Sequence, residues 1–309
     1  MRKLPLLKKG RSGQKTMKIS KSTLTGTLCV IGAGMCWGTT GTIQAFAPKG
    51  ASSLSIGAAR VAFAGIILLT YMLIKKKGAL FCGGWSVKGV LLAAAGLAVY
   101  QLTFFSAVRL TGVAVGTMVA IGSAPPLAGV FGRLLFKEQL LWRWYAATVM
   151  AVTGCVLLVL GGNTGALSVS TLGVFLAFSA AVAYALEGVG LRLIKRDPYD
   201  VIAVVSAVSG LMALPWLFAG DVGWMLEPRG ALCMALLTFL STIIPHTLFT
   251  IGIQNIQLGT AYTLSLSEPL TAWFLSALLL GERLSWVGLL GVCILFGGIL
   301  LLACNKKTG

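Results

Sequence analysis

Two stretches of the chain repeat each other: residues 123–142 read SAPPLAGVFGRLLFKEQLLW, and residues 267–286 read SEPLTAWFLSALLLGERLSW. A shift of 144 residues, without a gap, places Ser123, Pro125, Glu138, Leu140, Trp142 and Gly154 on Ser267, Pro269, Glu282, Leu284, Trp286 and Gly298. A shift of 147 residues places Gly26, Ala33 and Gly41 on Gly173, Ala180 and Gly188. Chance does not account for six matches in one register, one of them between two tryptophans, so the chain is predicted to contain two copies of one unit.

The sequence around these repeats is too apolar for a soluble protein. Of the 309 residues, 57% are hydrophobic and only 11% are charged, and the mean hydropathy is +0.91. Soluble domains carry roughly 25% charged residues. We therefore expect an all-α integral membrane protein whose apolar surface faces the lipid bilayer.

Ten apolar runs approach or exceed the roughly 20 residues of helix that cross a bilayer core. These predicted spans are 24–46, 54–74, 87–108, 112–135, 142–160, 171–193, 200–219, 230–254, 259–280 and 286–303. They divide into a first unit (24–160) and a second (161–303), flanked by a basic tail (1–23) and a short C-terminal tail (304–309). Because five is odd, the second unit would enter the membrane from the opposite side. Such inverted five-helix repeats are typical of alternating access.

Positive charge predicts the orientation of these spans. With the N-terminus inside, the predicted inner segments hold 20 Lys and Arg residues and the outer segments hold four, while Arg60 lies within the second span. The protein is therefore expected in the plasma membrane, with both termini in the cytoplasm. The first span is predicted to be retained rather than cleaved as a signal peptide, because it is too long and its basic region is too extended. Met17 is an alternative start, and its use would leave the predicted spans and their orientation unchanged.

Catalysis and cofactor binding are not expected. The seven cysteines show no CxxC spacing, and one histidine with eight acidic residues offers few ways to assemble a catalytic or metal site. There is no phosphate-binding loop, no filter-like segment and no nucleic-acid-binding motif. The net charge of +17 is therefore assigned to membrane orientation.

Several motifs carry a resemblance to a known family. They are Cys36-Trp37-Gly38-Thr39, the polar opening of the second span around Arg60, the Ser-x-Pro of the fourth span, and Leu280 to Ser285 after Glu268-Pro269. Through these motifs the chain resembles members of the drug/metabolite transporter (DMT) superfamily, specifically its ten-helix branch with two EamA domains. The first unit departs from the pattern by having Ala124 where the second has Glu268.

The resemblance implies a fold and a range of functions. Helices 1, 3, 4, 6, 8 and 9 would surround a cavity, while helices 5 and 10 would pack outside and could form a homodimer. We expect a secondary active transporter that exports amino acids or related small metabolites. The alternative is an uptake carrier for a small amine or carboxylate solute, or a multidrug extruder.

Polar and aromatic side chains within the spans are the candidates for a substrate cavity. The resemblance places an aromatic-polar pair at Tyr100-Gln101, and the remaining candidates are Trp37, Thr40, Gln44, Tyr184, Tyr262, Ser265 and Trp273. Together they would form an aromatic-walled pocket with a few hydrogen-bonding groups. Taken singly, each could instead pack at the lipid interface or bond to a neighbouring helix.

Four ionisable residues are candidates for coupling or substrate contact: Glu268, Glu187, His246 and Arg60. An ionised carboxylate at Glu268 would cost several kcal/mol in the bilayer unless it is paired, hydrated or protonated. Glu268 could bind a proton or a substrate amine, or be a structural carboxyl beside Pro269. For Glu187 the favoured alternative is a side chain extended to the membrane interface. For Arg60 it is the same extension or helix capping between the repeats, and for His246 it is a hydrogen bond between helices.

Overall fold

The computed structural model describes residues 21–48, 50–162, 170–218, 221–280 and 285–304, and within these ranges all regular structure is helical. The helices are α1 (Lys21–Ala45), α2 (Ser53–Lys76), α3 (Val87–Phe136), α4 (Trp142–Gly162), α5 (Thr171–Leu193), α6 (Pro198–Phe218), α7 (Pro228–Thr238), α8 (Ile244–Asn255), α9 (Leu258–Leu264), α10 (Ser267–Leu275) and α11 (Trp286–Ala303). Short 3₁₀ turns follow α2 and precede α7, and π-helical turns follow α7 and α10.

Eight helical stretches of the described chain are long and apolar enough to cross a membrane. They are Ser53–Leu80, Val87–Gly112, Val115–Phe136, Trp142–Gly161, Thr171–Leu193, Pro198–Phe218, Pro228–Asn255 and Trp286–Ala303. These correspond to the predicted second to eighth spans and to the tenth, within a few residues at each end. The protein is therefore a multi-pass helical membrane protein.

The predicted first and ninth spans differ from these eight. α1 has 25 residues but is rich in Thr and Gly, which lowers its hydropathy. The predicted ninth span, 259–280, is not one continuous helix. It is broken at Ser265 and Leu266 into α9 and α10, because Pro269 has no N–H to continue the hydrogen-bond ladder and is tolerated only in the first turn of α10.

A glycine divides α3 into its two halves. Gly112 has φ of 77° and ψ of 163°, a conformation that residues with a Cβ rarely adopt. The chain folds back there, so that a Cβ on Gly116 would lie 3.0 Å from the side chain of Val108. The boundary between the predicted third and fourth spans is therefore set by backbone conformation, without any intervening polar loop.

Contacts between distant segments define two ends of the bundle. At one end lie the pairs Ser22–Asn255, Lys76–Asp200, Arg196–Cys82, Glu138–Arg192 and Gln257–Gln139. We name this the basic end, because it also carries Lys75, Lys77, Arg133, Lys137 and Lys195. At the opposite end, Arg229 donates to the carbonyl of Phe46, and the N–H of Ser285 donates to the carbonyl of Gly161.

Helices of the two predicted units pack against each other throughout the bundle. α1 lies on α8 and α10, α2 on α6, α3 on α5, and α4 on α11. The closest approach of α1 to α10 is at Gly34 and Gly38, where an added Cβ would meet Ser267 and the backbone of Glu268 within 3 Å. The largest buried side chains include Tyr262, Phe249 and Leu97. The main apolar core is formed by residues of both units.

Candidate functional site

A cavity of about 450 Å³ lies between the helices. Its wall runs from Glu187 and His246, which are buried, to Gly41 and Ser53, which are exposed at the end opposite the basic end. The cavity therefore opens toward that opposite end. Its lining comes from α1, α2, α3, α4, α5, α8 and α10 and from the π turn after α10.

Arg60 supplies a buried positive charge to the cavity wall. Its side chain is on α2, the residue is 6% exposed, and Nη2 donates a hydrogen bond of 3.1 Å to Oε1 of Gln101 on α3. Within the described residues, Nε and Nη1 of Arg60 and Nε2 of Gln101 have no hydrogen-bond partner. The expected alternative of a side chain extended to the interface is wrong for Arg60. Buried donors without partners are rare, so these groups are available to a ligand or to water.

Two carboxyl groups face the same cavity. Glu187 on α5 is 1% exposed, and its Oε1 lies 3.8 Å from Nε2 of His246 on α8. Glu187 therefore does not extend to the membrane interface, which was the favoured alternative. Glu268 lies in the first turn of α10, where its N–H donates to the carbonyl of Ser265 at 2.9 Å. The break between α9 and α10 thus places this carboxyl on the wall.

His246 is held by its own helix as well as by its neighbours. Its Nδ1 lies 2.9 Å from the carbonyl oxygen of Thr242, one turn earlier, and the ring packs edge-on against Trp37 with centroids 5.2 Å apart. Nδ1 is therefore the donor to Thr242, which leaves Nε2 directed toward Glu187. This hydrogen bond joins α8 to the π-helical turn that precedes it. The expected hydrogen bond between separate helices is therefore wrong for Nδ1.

Aromatic rings form much of the remaining wall. Tyr100 lies between Phe104, at a centroid distance of 5.5 Å, and Tyr184, at 5.1 Å. Trp37 meets Tyr184 edge-on at 6.1 Å. The hydroxyl of Tyr184 is buried and has no partner among the described residues. The cavity thus combines flat apolar faces with a small number of free polar groups.

Most of the predicted cavity residues lie on this wall. Those that do are Trp37, Thr40, Gln44, Tyr100, Gln101, Tyr184 and Trp273, together with Arg60, Glu187, His246 and Glu268. Tyr262 and Ser265 do not line the cavity. The Tyr262 hydroxyl donates to the carbonyl of Tyr184, and the Ser265 hydroxyl donates to that of Tyr262 at 2.9 Å. The side chain of Tyr262 therefore packs between α9 and α5, whereas that of Ser265 caps the end of its own helix α9.

The cavity also includes residues that the sequence analysis did not single out. Phe104 and Phe105 follow Tyr100 and Gln101 by one helical turn, so the spacing of four residues was the available signal. Leu158 comes from α4, in the predicted fifth span, which the resemblance placed outside the cavity. An apolar residue in an apolar helix gives no sequence signal that it lines a cavity.

The chemistry of the site is that of binding. A cation, two carboxyl groups and free amide and hydroxyl groups surround a space large enough for a small molecule. Within the described ranges, no group of three or more His, Cys, Asp and Glu residues could hold a metal ion. Such a site can bind a molecule that carries both a negative and a positive group.

Comparison with known proteins adds to this geometry. The chain is 36% identical over 286 residues to the uncharacterized transporter YwfM of Bacillus subtilis, which covers 91% of this chain and 94% of that protein. It is 28% identical over 304 residues to the uncharacterized inner membrane transporter YicL of Salmonella typhimurium, covering 93% and 97%. Among solved structures, a crystal structure is similar to this chain in fold, with a TM-score of 0.78 and 20% identity, covering 92% of this chain and 96% of the other.

The family model of EamA-like transporters matches residues 24–160 and 171–304. The two matches lie on either side of the segment between α4 and α5, and together they span most of the chain. The relatives are named as transporters rather than enzymes. The chain therefore belongs to the EamA-like transporter family, within the drug/metabolite transporter superfamily.

Proposed function

We propose that this protein is a secondary active transporter that exports amino acids or related small metabolites by alternating access. The observation that carries the proposal is the presence of Arg60, Glu187 and Glu268 on one cavity wall. A guanidinium recognises a carboxylate through two parallel hydrogen bonds, and a carboxylate recognises an ammonium group. A zwitterion presents both partners in one small molecule.

The proposed architecture is ten transmembrane spans in two inverted five-helix repeats. The repeat in the sequence supports it, as does the packing of each helix of one unit on a helix of the other. The cavity lies between the units, where an exchange between two related arrangements would change its access. α1 and the broken α9–α10 segment would be the two spans that complete the ten.

The proposed location is the plasma membrane, with both termini in the cytoplasm. The distribution of charge supports this orientation, because Lys and Arg are concentrated at the basic end and scarce at the opposite end. In that orientation the cavity is open to the outside. The conformation would then be the one that releases an exported substrate or receives one from outside.

An uptake carrier for a small amine or carboxylate solute, or a multidrug extruder, is the second candidate. The aromatic faces of Trp37, Tyr100 and Phe104, close to two carboxyl groups, support it. Aromatic rings attract organic cations as well as planar apolar groups. A lipophilic amine would need these groups but would not need Arg60.

Transport by the purified protein in liposomes tests both candidates. The substrates are labelled zwitterionic amino acids, amines without a carboxylate, and carboxylates without an amine, each with and without a pH gradient. We expect saturable, counterflow-competent transport of zwitterions. Transport of amines alone would favour the drug extruder, and flux that rises linearly without saturation or counterflow would contradict a carrier.

A further inference from the structure

A buried network at the basic end joins parts of the chain that are distant in sequence. Oε1 of Glu138 lies 2.9 Å from Nη2 of Arg192. The two oxygens of the same carboxylate accept the N–H of Leu258 at 3.1 and 2.9 Å. Glu138 belongs to the first family match, and Arg192 and Leu258 belong to the second. One carboxylate therefore bridges the two units at this end.

Arg192 extends this network to the end of α8. Its Nη1 donates to the carbonyl oxygens of Ile253 and Ile256 at 3.2 and 2.6 Å. The last carbonyls of a helix lack partners within the helix, so a guanidinium there satisfies groups that would otherwise need water. The flat fork of arginine lets one side chain bond to Glu138 and to these carbonyls at once.

The backbone around Glu138 is shaped to direct its carboxylate inward. Lys137 adopts a left-handed conformation with φ of 55°, and the N–H of Glu138 then donates to the carbonyl of Gly132 at 3.1 Å. The carboxylate rests against Gly132, where a Cβ would lie 2.4 Å from Oε2. The side chain of Glu138 is only 5% exposed as a result. The contact is therefore a built feature of the fold rather than a surface ion pair.

The network lies at the basic end, beyond the buried end of the cavity. Leu258 begins α9, Ser265 ends that segment, and Glu268 lies on the cavity wall. Leu258 and Ser265 are both buried. Packed side chains therefore close any path from the cavity to the basic end along residues 258–265. The Glu138 network lies at the end of this path that is farthest from the cavity.

We propose that Glu138, Arg192 and the N–H of Leu258 form the gate of the transporter at the basic end. The gate is closed in this conformation, and its bonds between the two units must break before the cavity opens there. This proposal rests on the proposed function, because a gate has meaning only for alternating access. It assigns a role in transport to three residues that do not line the cavity.

A second buried carboxylate at the same end provides a matched control. Asp200 pairs with Lys76 at 2.6 Å and with Arg196 at 3.8 Å, and so it also connects the two units. However, α2 and α6 pack directly along their lengths, with Gly65 against the backbone of Ser206 and Ala207. Loss of the Asp200 pair should therefore leave these helices together and the cavity closed.

The test uses the full-length protein with its seven cysteines replaced and one cysteine introduced by Ser265→Cys. The rate of alkylation of that cysteine by N-ethylmaleimide reports opening of the buried path. We expect Glu138→Gln to raise the rate by about tenfold or more, because the neutral amide loses the ion pair and cannot accept at both oxygens. Asp200→Asn, the same change of charge, should alter the rate by less than about twofold. An unchanged rate in Glu138→Gln, or an equal rise in Asp200→Asn, overturns the gate.

A cross-link tests the gate without weakening it. The side-chain amide of Gln257 donates to the carbonyl of Gln139 at 2.9 Å, across the same junction. A cysteine pair at these positions, joined by a short reducible cross-linker, should stop counterflow of a labelled zwitterionic amino acid, and reduction should restore it. Counterflow that continues in the cross-linked protein refutes the gate. Absence of counterflow in the protein before cross-linking refutes the proposed transport instead, whatever the alkylation rates show.

Discussion

Arg60 and Gln101 lie on neighbouring helices and share a hydrogen bond of 3.1 Å at the cavity wall. The bond uses one nitrogen of the guanidinium and leaves two, Nε and Nη1, without partners within the described part of the chain. Because the amide fixes the plane of the guanidinium, the free N–H groups have a defined direction. A carboxylate can accept two parallel hydrogen bonds there, one from Nε or Nη1 and one from the second N–H of Nη2.

Replacement of Arg60 by lysine should weaken the binding of substrates that carry a carboxylate. Lysine keeps the charge but cannot bond to Gln101 and to a carboxylate in one plane. We expect KM for a zwitterionic substrate to rise by about tenfold, equivalent to about 1.4 kcal/mol. The measurement is initial-rate uptake into proteoliposomes over a range of substrate concentrations.

An amine that lacks the carboxylate is the control for Arg60→Lys. Its KM should change by less than about twofold, because it makes no bond to the guanidinium. If both substrates lose affinity to the same extent, then Arg60 supports the fold of the cavity rather than binding the carboxylate.

Much of this wall could be predicted because its residues are polar or aromatic in otherwise apolar spans. Trp37, Tyr100 and Gln101 have side chains that a lipid-facing position would not favour, and they line the cavity. Whether a given side chain points into the cavity could not be predicted in the same way. Tyr262 and Ser265 have equally suitable chemistry, but both are buried and their hydroxyls donate to backbone carbonyls instead.

Contacts between distant residues could not be predicted from composition. Arg192 was counted among the positive charges that set orientation, and it lies one turn from Glu187, with which it does not pair. It pairs with Glu138 instead, 54 positions earlier, because the left-handed residue Lys137 turns that carboxylate across the helix ends. Such a pair depends on how two units meet, which no local pattern specifies.

Gly38→Ala should destabilise the protein, because α1 approaches α10 too closely for a side chain. An added Cβ would lie 2.6 Å from the carbonyl oxygen of Glu268 and 2.9 Å from the amide nitrogen of Ala272. These are backbone atoms, so relief requires the helices to separate. We expect a loss of about 1–3 kcal/mol in the free energy of unfolding, measured by thermal unfolding in detergent.

Gly41→Ala, one turn further along the same helix, is the matched control. A Cβ at Gly41 meets nothing within 4 Å, so alanine should be neutral or stabilising through its better helix propensity. Equal losses of stability at both positions would show that glycine acts through the helix itself and not through the contact with α10.

The connection between α8 and α9 should face the cytoplasm although it carries no Lys or Arg. It lies at the basic end, where the side chain of Asn255 is exposed. In a cysteine-free protein, Asn255→Cys should resist a membrane-impermeant thiol reagent in intact cells and react after permeabilisation. Arg109→Cys, exposed near the opposite end, should react in both conditions. Labelling of Asn255→Cys in intact cells would reverse the proposed orientation.

Glu268→Gln should separate substrate binding from coupling to a proton gradient. If the Glu268 carboxyl exchanges a proton during each transport cycle, the amide fixes this position in a neutral form that can neither take up nor release one. Accumulation driven by a pH gradient should then be lost, while substrate exchange at equal pH on both sides should remain largely intact. Both rates can be measured in the same proteoliposomes by changing only the external buffer.

Glu187→Gln provides the comparison, because it makes the same change on the same cavity wall. Glu187 lies 3.8 Å from His246, so its loss also alters the surroundings of the only histidine. If Glu187→Gln abolishes pH-driven accumulation while Glu268→Gln retains it at the wild-type rate, the proton site lies at the Glu187–His246 pair. If both variants retain it, neither carboxyl couples transport to protons. A fall in folded yield of Glu268→Gln, with normal pH dependence in the protein that remains, would assign this carboxyl to the structure of the α9–α10 break.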